Sequence, residues 1–270
     1  MYIDVQDMTP RIHDIQFSQI LKALKPEICP QQALDKAQSI TKRSRSNKVP
    51  ERETFEVIRR LERWFSSTTS SLFLLRVGPR AEAKAKELTS DIISLLQSKK
   101  MNVVWRISPP TKKSEESMTE VLKTLIFQAL QIDSSLLQDP NELNVEKLQA
   151  THTQGEWYQL FQKILGRLSK CFVIIEAHDL YRAYKHEENW MSSFLKTFSD
   201  LAHQASIESN RIKVLILDYR VSKGPMLQTL GSYERIVATL RKPVPIPASR
   251  RHTVLHRKAG NIWKRFEPKI

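Results

Sequence analysis

The chain has 270 residues, 40% of them apolar, and carries 43 Lys/Arg against 29 Asp/Glu for a formal charge of +14. That length holds one substantial domain with appendages, or two small ones, and the apolar share is enough to form a buried core. The longest unbroken apolar runs, Leu72 to Leu75 and Cys171 to Ile175, fall far short of the ~20 residues a bilayer span needs, and the opening Met-Tyr-Ile-Asp-Val-Gln-Asp lacks the basic start of a secretory signal, so the expectation is no membrane and no secretion.

Residues 1–50 mix Pro26, Pro30 and Pro50 with the basic run Thr41-Lys-Arg-Ser-Arg-Ser-Asn-Lys48, which predicts short helices and then a linker. From Glu51 to Phe65, Phe55, Ile58, Leu61, Trp64 and Phe65 recur at helical spacing, and Glu51 and Glu53 suit the first turn. Leu72 to Val77 is a short apolar run fit for a buried strand. Ala81 to Gln97 carries Leu88, Ile92, Leu95 and Leu96 at helical period, and Asn102 to Ile107 is a second strand.

After the polar Pro-Pro-Thr-Lys-Lys loop, helices are predicted at Met118 to Gln131 and Gln154 to Leu168, parted by a Pro/Asn/Asp stretch around Asp139 to Asn144. Strands follow at Cys171 to Glu176, Ile212 to Asp218 and Arg235 to Leu240, with a long helix from about Glu188 to Ala205 between the first two. Strands that alternate with helices and are almost wholly apolar predict an α/β fold, a parallel sheet of about five strands covered on both faces. The expected organisation is a helical extension and linker over 1–50, the α/β domain over 51–240 and a basic, proline-containing tail over 241–270.

The tail holds nine Lys/Arg against one acid, Glu267, and Thr41 to Ser70 holds eight bases against four acids. Such flanks are either solvated surface or a means of holding nucleic acid or an acidic partner. Cys29 and Cys171 lie far apart, the second inside an apolar run, so a buried thiol is expected there rather than a disulfide or zinc site. A cytoplasmic or nuclear setting fits.

Three segments carry candidate chemistry. Gly78 to Ala85 reads Gly-Pro-Arg-Ala-Glu-Ala-Lys-Ala, which places Gly78 and Lys84 at the first and seventh positions of the phosphate-cradling pattern G-x-x-x-x-G-K-[ST]. Ala83 and Ala85 stand where the second glycine and the magnesium-binding hydroxyl belong. A plain strand-turn-helix rich in Ala, Glu and Lys explains the same residues. Cys171-Phe-Val-Ile-Ile-Glu-Ala-His-Asp-Leu180 is an apolar strand ending in Glu176 with Asp179 three residues on, the form of a metal-binding strand end in nucleotide hydrolysis, although acids also end buried strands for solubility. Lys213-Val-Leu-Ile-Leu-Asp-Tyr-Arg220 ends in a polar residue and an arginine. Arg220 could face a phosphate or pair with Asp218 or Glu176. All three fall at carboxyl ends of strands, where open α/β sheets bind ligands.

His178 beside Asp179 invites a catalytic dyad, but no serine sits in a G-x-S-x-G turn and Cys171 falls within a strand. His152, His178, His186 and His203 have no metal-ligand spacing. Trp157, Tyr158 and Phe161 at helical spacing read as core. No catalytic residue and no metal set is assigned.

In this order the segments over Glu51 to Leu240 resemble the NACHT/STAND class of P-loop ATPases, especially the NACHT-like parts of fungal multidomain proteins. The resemblance implies a P-loop NTPase-like sheet acting as a nucleotide-driven switch with ATP and magnesium as cofactors. By position it gives the phosphate-turn role to Gly78, the phosphate lysine to Lys84, the magnesium acid to Glu176, the second acid to Asp179 and the sensor arginine to Arg220. Ala83, Ala85 and Leu180 depart from the class, and these 270 residues contain no recognisable repeat array. The expectation is a non-catalytic domain that engages a protein partner, with weak ATP binding and nucleic-acid association through the basic flanks as the alternatives.

Overall fold

A computed structural model describes residues 17–44, 52–79, 81–108, 116–137, 153–187, 189–219 and 235–240. Helices α1 (17–24), α2 (Pro30–Ser44) and α3 (Arg52–Ser66) lead into β1 (Ser71–Val77), α4 (Glu82–Ser98) and β2 (Val103–Arg106). Then come α5 (Met118–Ile132), a 3₁₀ turn at Ser134–Leu137, α6 (Gln154–Arg167), β3 (Lys170–Glu176), α7 (Leu180–Ala183), α8 (Trp190–Ile207), β4 (Arg211–Asp218) and β5 (Arg235–Leu240). All five strands are parallel, in the order β2-β3-β4-β1-β5. The α/β sandwich expected from the alternation of apolar runs is therefore the fold, and among the described residues no helix is long and apolar enough to cross a membrane.

Side chains on a strand alternate between faces, and here that alternation divides the core in two. Leu72, Leu74, Val104, Val173, Ile175, Val214 and Ile216 point to the face covered by α1, α5, α6, α7 and α8. Phe73, Leu75, Trp105, Phe172, Ile174, Leu215 and Leu217 point to the face covered by α2, α3 and α4. Both faces are dry, which is why each strand reads as a continuous apolar run rather than an alternating one.

A buried lysine interrupts the apolar run of β4. Lys213 occupies a position on the α3 face of β4 and is fully buried, its ammonium donating to the Trp64 carbonyl at 2.8 Å and the Ser71 hydroxyl at 3.1 Å. Its stem and charge lie over the Trp64 ring, 5.9 Å from the centroid. The ammonium thus fixes the end of α3 to the starts of β1 and β4.

The first two helices hold the β2 edge. Ile20 and Leu24 of α1 join one core, while Ala33, Leu34 and Ala37 of α2 join the other. Between them the Pro30 carbonyl accepts the indole N–H of Trp105 on β2 at 3.2 Å. Gln38 of α2 reaches the Ser94 hydroxyl of α4 at 2.7 Å.

Candidate functional site

Order and parity of the strands decide what meets at the carboxyl edge of the sheet. β4 lies between β1 and β3, so the turn after Val77 and the acid ending β3 are two strand spacings apart, about 10 Å. Glu176 shares the parity of Phe172 and Ile174 and faces α4. Asp218 shares the parity of Val214 and Ile216 and faces α7. The two strand-end acids therefore have different partners.

At the turn itself the chain passes from strand to helix almost at once. The Gly78 N–H donates to the Leu240 carbonyl at 2.7 Å, extending the β1–β5 ladder, and the Ala81 N–H donates back to the Gly78 carbonyl at 3.1 Å. Ala81 is the N-cap, and α4 starts at Glu82, so Ala83, Lys84 and Ala85 are already helical. Among the described residues no glycine has a positive φ, so the freedom that a phosphate wrap demands of its glycines is not used. Ala85 is fully buried against the sheet. Arg80, within the turn, lies outside the described residues.

With the helix starting at Glu82, Lys84 and Lys86 are two residues and about 200° apart around its axis. Lys84 is half-buried in the first turn. The lysine that reaches Glu176 is Lys86: its ammonium stands 3.6 Å from Oε1 and donates to the Ser108 carbonyl at 3.4 Å. The Ser108 N–H in turn donates to Glu176 Oε2 at 2.7 Å. Carboxylate, amide and ammonium come together between β3, the end of β2 and α4, with Glu176 Oε1 facing the ammonium but accepting no hydrogen bond among the described residues. Tyr219 is packed on the same carboxylate, and burial first, then the charge of Glu176, holds its phenol well above the usual range. A cleft of about 10 Å³ between α4 and the sheet is lined, among the described residues, by Lys86, Ser108, Glu176 and Tyr219, no more than the ~10–15 Å³ that one water requires.

On the other parity, Tyr181 donates its hydroxyl to Asp218 Oδ1. Asp179 is buried, with Oδ1 3.4 Å from His178 Nδ1 and with Oδ2 lacking a hydrogen-bond partner among the described residues. His178 stays about one-third exposed. Arg106 pairs with Glu116 at 2.6 Å, and desolvation outweighs that cation and raises the Glu116 pKa above the ordinary carboxylate value. Burial pushes the Cys171 thiol up to about 12, which leaves it without thiolate character. Among the described residues no cluster of His, Cys, Asp and Glu has the arrangement to hold a metal ion.

Glu176 and Asp179 therefore stand near one another at the carboxyl edge, while Gly78 is absorbed into the ladder and Lys84 lies across the helix from Lys86. Arg220 is outside the described residues, as are 241–270 with their basic tail. Sequence reasoning missed Lys86, Tyr219 and Tyr181. Helical periodicity from Glu82 would have found the first, and strand parity from Phe172 and Val214 the sides on which the others meet their acids.

The model of the nephrocystin 3 N-terminal family matches residues 58–217, from within α3 into β4. No curated protein matches the chain. The match spans the sheet from β1 into β4 as far as Leu217, takes in Glu176 and the turn at Gly78, and covers more than half of the 270 residues. This chain belongs to the nephrocystin 3 N-terminal family.

Proposed function

We propose that this domain is a NACHT-like P-loop module that has given up ATP hydrolysis and works by engaging another protein. The observation that carries this reading is the Lys86–Glu176 ion pair, which sets a cation of the chain itself against the strand-end acid. In an active site of this class the strand-end acid holds magnesium and the lysine neutralises phosphate. Here a lysine of the chain itself provides the counter-charge, and the Ser108 amide takes the second carboxylate oxygen. The short turn between Gly78 and Ala81 supports the same conclusion, because its N–H groups at 78 and 81 are spent on backbone carbonyls instead of remaining free for a nest that binds anions.

Phosphate release from Mg-ATP by the purified chain tests the loss of hydrolysis. Release equal to that of Lys84→Ala and Glu176→Gln controls supports the reading. Turnover above both controls refutes it and restores a slow ATPase switch.

A further inference from the structure

A cavity on the helical layer opposite the Lys86–Glu176 pair opens between α5, α6 and α8. It holds about 370 Å³ between the starts of α5 and α6 and the segment running from α7 into α8, within the few hundred cubic ångströms usual for ligand pockets. Its wall is aromatic: Trp190 stacks on Tyr184 with centroids 5.6 Å apart and meets Phe194 at 5.9 Å. Glu187 is the one carboxylate among the described residues of the lining, exposed at the rim beside the neutral Asn189 and Ser193.

The walls are held before any ligand arrives. The Met118 N–H at the start of α5 donates to the Tyr184 hydroxyl at 3.0 Å, fixing α5 to the segment after α7. The Tyr158 hydroxyl on α6 donates to the Thr197 carbonyl of α8 at 2.6 Å. A pre-formed pocket avoids the ordering cost that a loop site meets on binding.

We propose that this cavity receives a basic side chain, arginine or lysine, from a partner polypeptide. An aromatic wall favours a cation or the apolar stem that carries it, and the Glu187 carboxylate at the rim supplies the charge-assisted hydrogen bond that fixes the head group. The chain as a whole is strongly basic at +14, so general electrostatic repulsion opposes such a ligand and capture must come from the local site. This rests on the reading of the domain as a protein-interaction module and names the chemistry of the partner.

Ligand-observed NMR with N-acetyl-arginine amide and its uncharged analogue N-acetyl-norleucine amide tests it on the full chain. Saturation is expected to pass to the arginine compound and not to the norleucine one. Glu187→Gln is expected to weaken binding roughly tenfold, and Ser193→Trp, which fills the mouth from an exposed position, to abolish it with an unchanged melting temperature. Absence of binding at tens of millimolar, equal response to both compounds, or binding indifferent to both variants would overturn the proposal. None of these results bears on ATP turnover, so the two readings fail separately.

Discussion

Lys86 Nζ and Glu176 Oε1 stand 3.6 Å apart, the one on the helix that follows β1 and the other at the end of β3. The two elements are those that a bound nucleotide and its metal would bridge in an active P-loop enzyme. Here a covalent part of the chain bridges them instead, and the Ser108 amide and carbonyl complete the junction.

Removing the lysine should show what that junction is worth. Lys86→Met leaves a buried carboxylate without its counter-charge, and a loss of about 2 kcal/mol is expected, below the ~3–5 kcal/mol of a fully buried pair because the lysine is 28% exposed. Glu176→Gln added to Lys86→Met should recover part of that loss, since a neutral amide still accepts from Ser108. Urea unfolding of the two single variants and the double variant measures the coupling. Strict additivity would mean that the pair contributes nothing to stability.

Glu116 should impose a pH slope of the opposite sign to that of a salt-bridged acid. Its folded pKa lies above the unfolded value because desolvation outweighs Arg106, so between those two values the native state binds more protons than the unfolded state. Stability from this group is then present at low pH and falls as pH rises through the folded pKa. Glu116→Gln should flatten that part of the profile and leave the protein at pH 7 at least as stable as the parent, as thermal melts from pH 4 to 7 would show. A variant markedly less stable at pH 7 would contradict the assignment.

Most of the fold was legible because the strands are buried on both faces. Runs such as Cys171 to Glu176 and Ile212 to Asp218 end within a residue of the strands observed, since an apolar run flanked by polar residues has few other places to lie. The site was less legible. Which lysine reaches Glu176 depends on where α4 begins, and a shift of two residues rotates the choice from Lys84 to Lys86. Lys213 was not legible at all: its ammonium is enclosed by Trp64 and Ser71, more than a hundred residues earlier in the chain, and no local pattern marks such a partner.

That enclosure gives Lys213 an outsized structural role. Lys213→Met keeps the stem but leaves the Trp64 carbonyl and the Ser71 hydroxyl without their shared donor, and a loss of about 2–4 kcal/mol is expected. Lys213→Arg should do no better, because the planar fork cannot follow the ammonium's geometry in a fully packed space. Chemical denaturation of both variants checks this. A loss under 0.5 kcal/mol would remove Lys213 from the contacts that join α3 to the sheet.

The helices before the family-matched segment belong to the same core. Leu34 is fully buried between α2 and the α4 side of the sheet, so Leu34→Ala is expected to cost about 2–5 kcal/mol. A single cooperative urea transition, moved to lower urea for the whole domain, is the expected result. A separate early transition with the main one unmoved would show that 17–44 folds independently of the sheet.

Isothermal titration calorimetry of the full chain with ATP and with ADP, each with and without magnesium, addresses the proposed loss of nucleotide binding most directly. The account predicts no binding heat up to millimolar nucleotide in the parent chain. Magnesium-dependent binding of ATP in the micromolar range, lost in Lys84→Ala, would contradict it and show that the Lys86–Glu176 pair yields to a ligand.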